Sequence, residues 1–403
     1  MFATRRAPGT DVADRQDTRA GAVSVGDAIR PMRKAKVLVV DDAMLIRRIV
    51  TDVLAADPSI EVVGEAANGR IALQKIAQLS PDLVTLDIEM PEMDGIQTLK
   101  EIRKTYPRLS VIMFSALTER GAADTLEALH HGASDYVTKP ASAAGRATAQ
   151  QRIREDLVPK IKSLCRLATP GQAFAAKRDA AAPVAPRPFA LRPVGPAITA
   201  DIVVIAVSTG GPTALADVLS HLPADFPVPI MLVQHMPQMF TRFLAERLNA
   251  QTPLAVMEAV DGQAVRPGVV YVAPGDFHLT VKRRNGAVVS VLDQEPHQNS
   301  HRPAADVLFR SVAEAYGPRG LALVLTGMGQ DGLRGSEEVT RAGGRVLVQD
   351  EATSVVWEMP GLVAGAGLAD AVLPLGQLAG ELQRRTARSR GHAVAETGTH
   401  GRL

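Results

Sequence analysis

The sequence predicts an α/β protein in two parts: an N-terminal (βα)5 domain, then a doubly wound, mostly parallel α/β domain carrying an antiparallel hairpin. Short β-branched runs alternate with segments of helical apolar spacing, the mark of βαβ units and a parallel sheet. That alternation breaks once, in an Ala/Pro-rich stretch over 168–199, and then resumes. In the second series Asn285-Gly286 separates two strand-like runs by the two residues a tight hairpin needs. The 403 residues, 46% hydrophobic and 22% charged, suffice for two or three domains and exclude a collagen-like, coiled-coil or wholly disordered chain.

Residues 1–35 are basic, interrupted by Asp11, Asp14 and Asp17, and are expected to be a disordered extension. Strands follow at 36–40, 61–63, 83–86, 111–114 and 136–137, with helical spacing between them, as in Ile71, Leu73 and Ile76. These elements predict a first domain over 36–152. Residues 152–167 still read as a helix, which is assigned with the Ala/Pro stretch to a linker over 153–199. The second domain is expected over 200–385, with parallel strands at 202–207, 229–233, 321–326, 344–349 and 371–373. Runs at 269–272, 277–282 and 287–292 read as successive strands of an antiparallel excursion, and 386–403 as an unstructured tail.

The formal charge of +2, from 45 basic and 43 acidic residues, gives no whole-chain case for nucleic acid or anionic lipid. No helix-turn-helix pattern or basic helix follows the linker, which disfavours a transcription factor. Apolar runs such as 202–207 fall far short of the roughly 20 residues of a membrane-spanning helix, and no signal-peptide block follows the N-terminus. The lone cysteine, Cys165, excludes an internal disulfide or a CxxC zinc site and is expected to be inert. A cytoplasmic monomer is expected, with no nucleic acid partner and no membrane insertion.

Asp41-Asp42 end the first strand, Asp87 the third and Ser115 the fourth, and Lys139-Pro140 follow the fifth. The carboxyl ends of strands in a doubly wound sheet form the binding crevice, so these side chains can converge. Three carboxylates in one pocket repel unless a cation sits among them, and an oxygen-only site suits Mg²⁺. Singly, the aspartates could be helix caps and Lys139 a surface residue; four loaded strand ends argue for a site. The segment 37–140 resembles the receiver domain of two-component response regulators. The resemblance implies Asp87 as phosphoacceptor, with Mg²⁺ held by Asp42, Asp87 and the carbonyl of Glu89, assisted by Asp41. It further implies Lys139 on the phosphoryl oxygens, Ser115 as the switch hydroxyl, Tyr136 as an aromatic that changes rotamer, and a histidine kinase as phosphodonor. A carboxylate attacking phosphorus needs its repulsion from the phosphate cancelled, which a divalent cation and a lysine can do.

The second domain opens with a buried strand ending in Ser208-Thr209-Gly210-Gly211-Pro212. A helix starting near Pro212 would aim free N–H groups at this turn, which suits an oxyanion or phosphate. Alone the signal is weak, since the turn has neither the Walker A lysine nor the full GxGxxG spacing. The next strand ends in Gln234-His235-Met236-Pro237, and a later one in Gly327-Met328-Gly329-Gln330-Asp331-Gly332. Serine, histidine and aspartate thus lie beyond three parallel strands, as a Ser-His-Asp hydrolase requires. Their chain order and the missing G-x-S-x-G elbow set aside the α/β-hydrolases. Individually Ser208 could cap a helix, His235 could be a satisfied strand-end histidine, and Asp331 could be an N-cap.

With Tyr-Val-Ala-Pro-Gly at 271–275, His301-Arg302-Pro303 and Ser354-Val355-Val356-Trp357-Glu358-Met359-Pro360, the chain from 36 to 373 resembles the chemotaxis-specific protein-glutamate methylesterase family. The resemblance implies Ser208 as nucleophile, His235 as general base and then acid, and Asp331 as the group orienting the imidazole. Thr209 would help position the histidine and the Met328 N–H would serve the oxyanion, with no cofactor for the esterase. The implied substrates are glutamate γ-methyl esters and certain glutamines of chemoreceptors, the methyl-accepting chemotaxis proteins. The implied control is a receiver that covers the cleft until phosphorylated. Two departures are the extension before Lys36 and a tail, 392–403, without an aromatic-rich receptor tether. The alternative is a non-catalytic response regulator whose second domain binds a nucleotide or protein partner at the Ser208 turn. His297 and His301, four apart, lie in a proline-punctuated stretch that argues against a metal site, and Trp357 is either core or cleft wall.

Overall fold

The computed structural model describes residues 33–139, 145–167 and 199–387; most of the expected N-terminal extension, nearly all of the Ala/Pro stretch and most of the expected C-terminal tail lie outside the described residues, while Ala35 and Thr386 fall in a strand and a helix. The first domain runs β1 (Ala35–Val40), α1 (Met44–Ala55), β2 (Ile60–Ala66), α2 (Gly69–Leu79), β3 (Leu83–Asp87), α3 (Gly95–Thr105), β4 (Ser110–Ser115), α4 (Glu119–His130), β5 (Asp135–Thr138) and α5 (Arg146–Leu164). Its sheet has the order β2-β1-β3-β4-β5 and every pairing is parallel. Helices start where the sequence supplies acceptors: Asn68, Asp94 and Thr118 take the backbone N–H groups of Ile71, Gln97 and Gly121. Val40 pairs with Leu86, so Asp41 and Asp87 emerge side by side at one sheet end.

Helix α5 departs from the expected boundary at 152 and linker over 153–199. It is one continuous helix whose Ile153, Leu157, Val158 and Ile161 are buried in a cluster with Val37, Val50 and Phe114. Lys162 also lies 2.7 Å from Asp57, just beyond α1. The apolar positions form a helical stripe, but surrounding charges, the internal Pro159 and the adjoining Ala/Pro stretch conceal it in the sequence.

The second domain runs β6 (Ile202–Val207), α6 (Gly211–Ser220), β7 (Ile230–Gln234), α7 (Gln238–Gln251), β8 (Ala255–Glu258), β9 (Val269–Val272), β10 (His278–Arg284), β11 (Ala287–Asp293), α8 (Ala305–Tyr316), β12 (Gly320–Val324), α9 (Leu333–Arg341), β13 (Arg345–Gln349), α10 (Glu358–Gly365), β14 (Ala371–Leu373) and α11 (Leu375–Thr386). Its main sheet, β14-β13-β12-β6-β7-β9-β8, is parallel throughout. Strands β6, β7, β12 and β13 are buried along their whole length, which accounts for their near-continuous apolar sequence.

Only β10 and β11 form the antiparallel hairpin, closed by Asn285 (φ 49°) and Gly286 (φ 82°), both left-handed as a type I′ turn requires. The run at 269–272, expected as a third strand of the antiparallel excursion, is β9 and pairs in parallel with β7 and β8. Strand β8, four residues with two exposed side chains, had too little apolar pattern to be read. The chain leaves β6 toward β7 on one side and returns to β12 on the other, which puts a topological switch point between β6 and β12. Leu126, Leu129 and Tyr136 of the first domain share one apolar cluster with Phe240 and Leu244 of the second.

Candidate active site

At the carboxyl end of the first sheet, Asp41, Asp42 and Asp87 each place an oxygen within 4.8 Å of the others. The Lys139 ammonium sits 2.9 Å from Asp41 Oδ2 and 2.7 Å from Asp87 Oδ2. Burial, then the charge of Asp41, pushes the Asp87 carboxyl up to about 6 against the pull of Lys139. Burial likewise raises Asp41. Burial alone would lower Lys139, but its two carboxylate partners outweigh it and hold the amine above its ordinary value. Three carboxylates, Asp41 and Asp87 buried and Asp42 exposed, with one ammonium leave net negative charge among hard oxygen donors, a set that fits a divalent cation such as Mg²⁺. Glu89 is exposed and its carboxylate is not among the converging three, so any contribution is limited to its backbone carbonyl.

The two expected switch residues each have partners of their own. The Ser115 hydroxyl donates to the Gly121 carbonyl at 2.9 Å, at the start of α4. Tyr136 is buried and stacks on Phe240 of the second domain, with ring centroids 4.8 Å apart and planes 10° from parallel. Burial pushes its phenol well above the usual value, so the ring stays neutral.

In the second domain the register brings the expected residues together. Val207 pairs with Gln234, so Ser208 and His235 follow on adjacent strands, and Ser208 N donates to Thr326 O at 3.0 Å beyond β12. The turn after Ser208 needs its glycines. Gly210 has φ 78°, and a Cβ on Gly211 would lie 1.9 Å from Gln234 Oε1, whose Nε2 donates to Ser208 O. His235 Nε2 lies 2.8 Å from Asp331 Oδ2, while His235 Nδ1 is buried without a hydrogen-bond partner. An ionised Asp331 only accepts, so Nε2 carries the proton and Nδ1 keeps its lone pair for proton transfer.

Burial alone would raise Asp331, but the hydrogen bond and charge of His235, with the N–H groups of Ala305 and Asp306, outweigh it and hold the carboxyl at about 2. Asn299 Nδ2 donates to Asp331 Oδ1 at 2.9 Å. His301 stacks flat on His235, centroids 3.8 Å apart, and burial followed by the charge of His235 lowers its imidazole to about 3, so it stays neutral. Ser208, His235, His301 and Met328 line one cavity of about 1180 Å³ that also borders Lys139 and Tyr136 of the first domain. A Cβ on Gly327 would lie 2.9 Å from Ser208 Cβ, so the chain entering Met328 runs close beside the serine.

Thr209, expected to help position the histidine, donates its hydroxyl to Asp135 Oδ2 of the first domain at 2.6 Å, and α4 packs against α6 and α7 beside this turn. Trp357 resolves to the core side: its Nε1–H donates to Gln349 O at 2.9 Å and its ring covers Gly361. Sequence reasoning missed Asn299 and the stacking of His301. In the sequence this segment shows only two histidines four apart in a proline-punctuated stretch, which does not reveal partners brought in from distant elements.

An aspartate cluster with a lysine at one sheet end, joined to a parallel sheet bearing a Ser–His–Asp set at its switch point, defines a response regulator with a hydrolytic output domain. The CheB methylesterase family matches residues 203–382 and the response regulator receiver domain residues 37–149. A protein-glutamate methylesterase/protein-glutamine glutaminase of a Nocardioides species is 53% identical over 357 residues, covering 88% of this chain and 96% of that protein. A protein of the same name from Trichodesmium erythraeum is 49% identical over 356 residues, covering 88% and 99%. The chain belongs to the protein-glutamate methylesterase/protein-glutamine glutaminase family. Among the described residues no helix is long and apolar enough to cross a membrane.

Proposed function

We propose that this chain is a phosphorylation-activated methylesterase that hydrolyses glutamate γ-methyl esters on chemoreceptors and deamidates specific receptor glutamines, serving adaptation in chemotaxis. The observation that carries the reading is the hydrogen bond of His235 Nε2 to Asp331, with His235 lining the same cavity as Ser208 and its Nδ1 left without a hydrogen-bond partner. Ser208 Oγ adds to the ester carbonyl as His235 Nδ1 takes its proton. The carbonyl oxygen becomes an oxyanion facing the Met328 N–H, and one well-placed donor of this kind contributes roughly 3–4 kcal/mol. His235 then returns the proton to the departing methoxide, which leaves as methanol. Water, deprotonated by His235, attacks the acyl-serine, and the proton returns to Ser208 as the glutamate carboxylate leaves. A glutamine follows the same steps with ammonia as leaving group.

Asp87 is the phosphoacceptor, supplied by a chemotaxis histidine kinase. Asp41, Asp42, Asp87 and the Glu89 carbonyl would hold Mg²⁺, whose charge offsets repulsion between Asp87 and the incoming phosphoryl group. Lys139 then binds phosphoryl oxygens, and Ser115 and Tyr136 turn to follow them. Because Tyr136 stacks on Phe240 and Asp135 holds Thr209, that turn would loosen the contact over the cleft. The protein acts in the cytoplasm as a monomer, with its first domain over roughly 36–164 and its catalytic domain over 200–385.

The test is methanol release from a methylated chemoreceptor fragment by wild type, Ser208→Ala and Asp87→Asn, each with and without acetyl phosphate and Mg²⁺. Wild type should release methanol faster with phosphodonor, Ser208→Ala should release none, and Asp87→Asn should keep its basal rate unstimulated. No release by wild type from any methylated receptor would overturn the reading in favour of a binding module.

A further inference from the structure

The segment Asn299-Ser300 carries two consecutive non-glycine residues in the left-handed region, φ 51° and 66°. Asparagine tolerates that conformation, but serine seldom adopts it, and two in succession are held only where the surroundings demand it. What the conformation achieves is visible at the Asn299 side chain. Its Nδ2 lies 2.9 Å from Asp331 Oδ1 and 2.8 Å from Asp306 Oδ2, between two carboxylates that are both nearly inaccessible to solvent. The amide orientation is set by its partners, because only NH₂ can face two acceptors at once, and each of its hydrogens has one carboxylate to serve.

We infer that Asn299 is a positioning residue of the hydrolytic site: its amide clamps Asp331 and Asp306 together and thereby aims Asp331 Oδ2 at His235. The inference rests on the proposed esterase mechanism. Each oxygen of Asp331 has its own set of donors. Oδ2 faces His235 Nε2 at 2.8 Å and Ala305 N at 2.6 Å; Oδ1 takes Asn299 Nδ2 and, at 3.1 Å, Asp306 N. Asp306 anchors the far side, its Oδ1 accepting the N–H groups of Gly332 at 3.0 Å and Gly335 at 2.7 Å, which pins the loop carrying Asp331 to the start of α9. Without the amide, two buried carboxylates would face each other with one donor fewer apiece, and Asp331 could rotate out of line with the imidazole. The charged or titratable groups facing this point are Asp331 from the loop after β12, Asp306 from α8, His235 after β7, and His301 from the same segment as Asn299.

The test compares wild type, Asn299→Ala and Asn299→Asp as full chains, saturated with acetyl phosphate and Mg²⁺, by methanol release from a methylated receptor fragment across pH. Asn299→Ala should lower kcat by about 10- to 100-fold at every pH with KM little changed, the cost of misaligning a catalytic pair. Asn299→Asp keeps the side-chain shape. Between two carboxylates its added carboxyl should hold a proton to unusually high pH and donate it while protonated. A protonated carboxyl has one hydrogen where the amide has two and so restores one of the two contacts. Activity relative to wild type should therefore be highest at the acid end, above that of Asn299→Ala, and fall as pH rises through the titration of that carboxyl, a limb absent from wild type and Asn299→Ala. Loss of folded protein alone would lower both variants in parallel without that limb, and would overturn the inference, as would variants within about twofold of wild type in kcat. If wild type itself releases no methanol, the esterase reading fails first, and the two failures are thereby distinguished.

Discussion

The contact between Asp135 and Thr209 predicts how tightly the first domain holds the hydrolytic site shut. The Asp135 carboxylate is buried, its Oδ2 accepting the Thr209 hydroxyl at 2.6 Å immediately beside Ser208. Its other oxygen accepts the Tyr136 N–H at 2.8 Å and lies 3.7 Å from Lys160 Nζ. Those last two interactions lie within the first domain and persist whether or not the cleft is covered, so among the contacts of Asp135 the bond to Thr209 is the one that distinguishes the closed state. A hydrogen bond to a charged acceptor contributes about 1.5–3 kcal/mol net, and about 1.4 kcal/mol is a factor of ten. Asp135→Ala should therefore shift the closed-to-open ratio by roughly 10- to 150-fold toward open.

The assay is methanol release without phosphodonor. Its basal rate should rise by that factor or until it meets the phosphorylated rate, and stimulation by acetyl phosphate should shrink accordingly. Glu119→Ala is the internal comparison. It breaks the 2.8 Å pair with Arg242 at the same interface, but both side chains are largely solvent-exposed, so the basal rate should move by about twofold or less. An unchanged basal rate with full stimulation in Asp135→Ala would refute the reasoning, and so would equal effects from the two variants.

Further outcomes follow from the same geometry. Asp331→Asn should lower kcat by roughly 10³- to 10⁴-fold, because an amide that turns its NH₂ toward His235 no longer holds the tautomer that frees Nδ1, and it should lower the thermal midpoint, because in either orientation that NH₂ faces buried N–H donors. Leu157→Ala should destabilise the first domain by about 2–5 kcal/mol in denaturant unfolding, since this side chain is fully buried against the sheet; a helix serving only as linker would show almost no loss. His301 titrates at about 3 when folded, against about 6.5 when unfolded, so the unfolded chain binds the extra proton in the window between. Its contribution to stability is complete above the unfolded value and declines as pH falls through that window. His301→Phe keeps the ring over His235 and removes the titration, so its thermal midpoint should fall less than that of wild type between about pH 7 and pH 5.

The local rules of the chain were enough for much of this protein. Alternating apolar runs and helical spacing determined both parallel sheets. The strand-end identities Asp41, Asp87, Ser208, His235 and Asp331 followed because in a parallel sheet the residues just past each strand share one crevice. Asn285-Gly286 determined its hairpin, since a left-handed pair is a property of those two residues alone. Helix α5 shows where such rules run short, because four apolar residues around a proline become a buried face only when β1 and α1 are there to receive them.

Packing alone decided the rest. Nothing in the letters of residues 297–303 announces that Asn299 bridges two carboxylates or that His301 lies flat on His235, because those partners are brought in from α8, the loop after β12 and the end of β7. The direction of the Thr209 hydroxyl is likewise tertiary: a threonine beside the nucleophile has two polar regions within reach, and the packing of the first domain over the turn gives it to Asp135. The sequence by itself determined which chemical groups stand at the strand ends, since strand and turn preferences act over a few residues. Which groups meet was left to the tertiary structure, since hydrogen bonds and ion pairs depend on distances set by folding between segments far apart in the chain.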